Sequence, residues 1–134
     1  MVPPRPPHPA RPLRVLCCID NDLLRRSLCM LLENVGHAAD STPNTGEALA
    51  CLQRATYNLL ITDNQTPYVN GIELVSKARA AGFVGSVIIY SFLLSPHERQ
   101  VYIKFGNVAF VEKGMDVEAL LAAINDVVSG REPS

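Results

Sequence analysis

Five times between residues 14 and 128, a run of five or six residues, mostly apolar in all but the weaker second, gives way to a longer stretch whose apolar positions recur three and four apart. The runs are 15–19, 37–42, 58–62, 86–91 and 108–112. A short continuous apolar run reads as a strand buried on both faces, and the longer spacing reads as an amphipathic helix. After the first run come Leu24, Leu28, Leu31 and Val35, and Gly36 then stops the pattern. Asn44 with Glu47, and Ser95-Pro96 with Glu98, mark two more helix starts, and a third helix spans 71–81. Gly106 ends the fourth helix, and Asp116 precedes the apolar stripe Val117, Leu120, Leu121, Ile124 and Val128. Strands that alternate with helices must cross over between pairings. The pattern therefore predicts a parallel sheet with helices on both faces and right-handed connections.

At 134 residues and 48% hydrophobic, the chain can bury one core but not two. A net charge of −1 supplies no basic field of the kind nucleic acid attracts. Six of the first twelve residues are proline, so 1–13 is expected to be a disordered, polyproline-like tail. The folded domain is expected over 14–129, with a short C-terminal tail at 130–134. No stretch is long and apolar enough for a membrane span, and no signal-peptide core is present, so a cytoplasmic location is expected. Cys17, Cys18, Cys29 and Cys51 lack ligand spacing and are read as small buried hydrophobes. His8, His37 and His97 lie far apart and receive no catalytic role.

Residues 57–71, YNLLITDNQTPYVNG, carry the functional signal. Leu59, Leu60 and Ile61 form a buried run, and the chain leaves the strand at Asp63, the rim where open α/β sheets place ligands. Pro67 stiffens the loop, and Asn70-Gly71 suits the start of the next helix. This segment closely resembles the phosphoacceptor region of response-regulator receiver domains, which reads as a strand, an Asp, three residues, a Pro, two residues and then Asp-Gly. Asn70 stands here at the second acid of that pattern.

The resemblance covers roughly 14–128, nearly the whole folded region. It implies the flavodoxin-like (βα)5 three-layer sandwich, with a parallel five-stranded sheet in order 2-1-3-4-5. It further implies Asp63 as phosphoacceptor, with Ser91 and Lys113 contacting the phosphoryl group and Phe110 as the aromatic switch. Mg2+ would be held by Asp20, Asp63, the Gln65 carbonyl and waters. Two anions meet when a carboxylate attacks a phosphoryl group, and a hard dication with a lysine ammonium neutralises the developing charge. The phosphoryl donor would be the phosphohistidine of a histidine kinase or phosphotransfer protein. Catalysis would extend no further than the domain's own modification and its reversal. The output partner would dock on the fourth helix, fifth strand and fifth helix, with room for a homodimer and no contact with nucleic acid or membrane by this domain.

Several positions depart from the family pattern. Receivers have two adjacent acids after the first strand, whereas this chain reads Ile19, Asp20, Asn21, so either register lacks one carboxylate and Mg2+ binding is expected to be weak. Asp22 can supply it, although capping the first helix suits it better. Gly114 replaces the proline after Lys113, Tyr68 replaces a frequent glycine, and bulky Phe92 is expected to cover the site. The alternative reading is a pseudo-receiver, a protein-interaction module working without phosphorylation. A flavodoxin-like cofactor binder shares the fold, but no Gly-rich or Ser/Thr-rich phosphate loop follows the first strand.

Overall fold

The computed structural model describes residues 12–114 and 117–130. In chain order the elements are β1 (Arg14–Cys18), α1 (Asp22–Asn34), β2 (Ala38–Thr42), α2 (Thr45–Arg54), β3 (Leu59–Thr62), α3 (Gly71–Ala80), β4 (Ser86–Ser91), α4 (Pro96–Lys104), β5 (Val108–Glu112) and α5 (Val117–Val128). The strands form one parallel sheet in the order β2-β1-β3-β4-β5, the flavodoxin-like arrangement expected from the sequence. Residues 1–11, 115, 116 and 131–134, among them the proposed cap Asp116, lie outside the described residues.

Alternation along the strands divides the core between two faces. Val15, Cys17, Leu59, Ile61, Ile88 and Tyr90 pack toward α1 and α5 with Leu28, Leu32, Leu120 and Ile124. Leu16, Cys18, Leu60, Val87 and Ile89 pack the other way, with Ala48, Leu74, Val75 and Tyr102 from α2, α3 and α4. Each fully buried Leu or Ile contributes about 1.5–3 kcal/mol, so the two-sided burial of β1, β3 and β4 is what makes the sheet central to stability. β2 at the edge is mostly exposed, and its Asp40 accepts from the Tyr57 hydroxyl at 2.7 Å and pairs with Arg14 at 3.3 Å.

Helix starts are set by side chains that accept from the backbone N–H three residues on, each stabilising its helix by about 1 kcal/mol. Asn21, Asn44, Asn70 and Ser95 do this for α1, α2, α3 and α4. The cap of α1 is therefore Asn21, not Asp22. Asp22 is the first helical residue and pairs with Arg25. Helix α1 also turns a slightly different face inward than its spacing suggested: Leu28 and Leu32 are buried, while Leu24 and Leu31 are only partly so. Val117, expected in the α5 stripe, is half exposed. Cys17 and Cys18 are buried as expected, whereas Cys29 and Cys51 reach the surface in part because they sit on the flanks of their helices. Among the described residues, no helix is long and apolar enough to cross a membrane.

His37 joins the start of the domain to the β1–β2 edge. Its Nδ1 accepts from the Leu13 N–H at 2.9 Å, and the Leu13 carbonyl accepts from the Ala38 N–H at 2.9 Å. Burial pushes the His37 imidazole below its ordinary value of 6.5, and protonation would remove the acceptor. The unfolded chain thus binds this proton more readily than the folded one. The stabilisation is complete above the unfolded value and is lost as pH falls through the lower folded value. Melting temperatures between pH 8 and pH 5 should drop more for the wild type than for His37→Gln; equal slopes would exclude this contribution.

Candidate functional site

The carboxyl ends of β1, β3, β4 and β5 converge on Asp63. It follows Thr62, the last residue of β3, and is 1% exposed. Its N–H donates to the Cys18 carbonyl at 3.2 Å, which carries the ladder one residue past the strand and fixes the carboxylate at the rim between β1 and β4. One carboxylate oxygen accepts from the Asp20 N–H at 3.0 Å, and the other is paired with the Lys113 ammonium. The side chains of this pair are only 2% and 14% exposed, so the attraction acts in a poorly screened environment. Lys113 is held in turn by its N–H, which donates to the Ser91 carbonyl at 2.7 Å. The ends of β4 and β5 are thereby locked together beside the acid.

The geometry brings Asp63, Asp20 and Lys113 together, and Ser91 joins them through its carbonyl. Ser91 also lines a narrow crevice of about 50 Å³ with Leu94 and Phe110. The Asp20 carboxylate makes no hydrogen bond or ion pair to another described residue, and Asp20 borders an open cleft of about 410 Å³ with Asp22, Asn44 and Tyr68. Gln65 is exposed in an antiparallel bridge with Asn70. That bridge is closed by Thr66 N–H to Val69 O at 2.8 Å and Gly71 N–H to Asn64 O at 2.6 Å, which leaves the Gln65 carbonyl uncommitted. The oxygens of these two carboxylates and of the Gln65 carbonyl are donors of the hard type that Mg2+ takes. No cluster of three His, Cys, Asp or Glu side chains that could hold a metal occurs among the described residues.

Neither register of the first acid pair supplies the missing carboxylate. Ile19 is fully buried in the core with Val15, Cys17 and Leu28, and Asn21 spends its side-chain oxygen on the Leu24 N–H. Phe92 is 70% exposed and flanks the site instead of covering it, its ring centroid 5.5 Å from the Lys113 ammonium. Phe110 is already packed inward, edge-on to Tyr102 at 5.9 Å, with the Arg99 guanidinium 4.9 Å above its ring.

Sequence reasoning missed two sets of supporting residues. Arg25 donates to the Ile19 and Asp20 carbonyls at 2.8 and 3.2 Å and braces the loop after β1; its spacing of three from Asp22 was the only hint. Asn64, next to the acid, accepts from the Tyr102 hydroxyl at 2.7 Å and donates to Glu98 at 2.6 Å. No local pattern announces contacts across 34 and 38 positions.

The Response regulator receiver domain family model matches residues 15–125. The Gliding motility regulatory protein of Myxococcus xanthus is 33% identical over 119 residues, covering 87% of this chain and 15% of that protein. Transcriptional regulatory protein FixJ of Azorhizobium caulinodans is 29% identical over 105 residues, covering 78% of this chain and 50% of that protein. The chain thus spans half or less of these curated relatives. A crystal structure of a response regulator receiver protein from Pseudomonas putida gives a TM-score of 0.78 at 29% identity, covering 87% of this chain and 98% of that one. A match that runs from the first strand into the last helix makes this chain a member of the response regulator receiver domain family.

Proposed function

We propose that this receiver accepts a phosphoryl group on Asp63 from a phosphohistidine of a histidine kinase or phosphotransfer protein. The observation that carries the reading is the buried Asp63 carboxylate aimed at the sheet rim and held between the Lys113 ammonium and the Asp20 N–H. An oxygen of Asp63 would attack phosphorus as the P–N bond of the donor breaks and the imidazole departs with the electron pair. Lys113 would transfer its contact to a phosphoryl oxygen, and the Ser91 hydroxyl would donate to another. Asp20, Asp63 and the Gln65 carbonyl would hold Mg2+, whose charge offsets that of the meeting anions. With one carboxylate fewer than the family pattern, this set holds the ion weakly.

Residues 14–129 would form the acting unit in the cytoplasm, with 1–13 and 130–134 as flanking segments. The surface of α4, β5 and α5 would carry the signal to a protein partner, with Phe110 reporting the state of the Ser91 end of β4. Intact-mass analysis after treatment with acetyl phosphate and Mg2+ tests the assignment. One added phosphoryl group is expected, absent without Mg2+ and absent in Asp63→Asn. An adduct that survives the substitution would move the acceptor elsewhere. No adduct on the wild type would favour a pseudo-receiver that works without phosphate.

A further inference from the structure

Both polar atoms of the Asn64 side chain have partners, and so does its backbone carbonyl. Its oxygen accepts from the hydroxyl of Tyr102, its amide donates to one oxygen of Glu98, and its own carbonyl accepts from Gly71 at 2.6 Å. The orientation is unique, because the Glu98 carboxylate can only accept and the amide nitrogen can only donate. The bond from Asn64 is the main cause that holds the Glu98 carboxyl below its ordinary value of 4.5. Its other oxygen accepts from the Ser95 N–H at 3.0 Å, while the Ser95 hydroxyl accepts from the Glu98 N–H at 3.1 Å. One carboxylate therefore joins the first turn of α4 to the residue beside Asp63. Tyr102, one turn further along, is fully buried and stacks edge-on against Phe110.

We infer that Tyr102 and Glu98 are positioning residues for the acceptor loop, and that through Asn64 they couple the state of Asp63 to α4 and Phe110. The direction of the coupling rests on the phosphoacceptor reading of Asp63. Both oxygens of that carboxylate have partners, so a phosphoryl group added to either would redraw the contacts to Lys113 and the Asp20 N–H and shift the adjoining 63–64 peptide. There is no slack to absorb the shift. A Cβ on Gly71 would lie 2.5 Å from the Asp63 carbonyl and would also meet the Tyr102 hydroxyl, so the loop is packed directly onto α4. Movement of Asn64 must then either carry Glu98 and Tyr102 with it or break their bonds. The helix start and the ring under Phe110 register the change in either case.

Hydrogen exchange of the α4 amides in the full chain tests this with a double-mutant cycle of Asp63→Asn and Tyr102→Phe. Tyr102→Phe keeps the ring and removes only the bond to Asn64, and Glu98→Gln serves as a second, half-buried variant. Asp63→Asn is expected to change α4 exchange about fivefold or more in the wild-type background, and by less than about twofold once Tyr102 or Glu98 is altered. A purely structural role would give the same change in every background, and that result, or no change in the wild type, overturns the coupling. Beryllofluoride with Mg2+ provides the separate arm. Shifted amides of Asp20 and Lys113 support the acceptor assignment and their absence removes it, while the substitution cycle decides the coupling without phosphate chemistry.

Discussion

Lys113→Met is expected to lower stability by about 3 kcal/mol near pH 8, because it leaves the buried Asp63 carboxylate with no counter-charge. Methionine fills much of the volume of the lysine stem, so the loss is electrostatic and not a cavity effect. Denaturant titrations of the wild type and the variant measure the deficit. Mg2+ at constant ionic strength should restore part of the loss by supplying a cation to the same carboxylate, and a deficit indifferent to Mg2+ would assign Lys113 a packing role. Phosphoryl acceptance should fall as well, since a neutral side chain cannot pair with a phosphoryl oxygen.

Gly71→Ala is expected to cost about 1–3 kcal/mol through overpacking, without any change of charge. The added methyl would lie 2.5 Å from the Asp63 carbonyl and 3.1 Å from the Asn64 carbonyl. Both are backbone atoms, which cannot swing aside as a side-chain end can. The Tyr102 hydroxyl is a third obstacle, and its displacement would break the bond to Asn64. Chemical denaturation reads the stability loss, and amide spectra should show the disturbance centred on 63–71 and reaching α4. Wild-type stability would mean that α3 can slide away from β3 at no cost. The glycine is thus required by close approach and not by a left-handed backbone.

These expectations draw on different levels of information. The sheet and its helices were legible in the chain because strands buried on both faces must be apolar throughout, as in 59–61 and 87–90, while helices that cover the sheet with one face and meet solvent with the other need apolar residues three and four apart. The rim positions were legible for a related reason. A carboxylate or ammonium cannot sit inside such a strand, so Asp20, Asp63 and Lys113 mark where the strands end. Helix caps were visible as residue types, yet Asn21 and Asp22 are both good caps and only the path of the backbone out of β1 selects the first.

The amino-acid sequence alone determined the order of elements, the parallel sheet and the identity of the acid at the end of β3, because period, apolarity and turn chemistry are local properties. Tertiary structure decided what surrounds that acid. It placed Ile19 in the core and turned the Asn21 side chain to the helix start, so neither adds a carboxylate to the site. It also brought Tyr102 and Glu98 to Asn64 and set Phe92 beside Lys113. Contacts of this kind join residues tens of positions apart, and their existence depends on the distances at which packed layers settle. No window of the sequence encodes those distances.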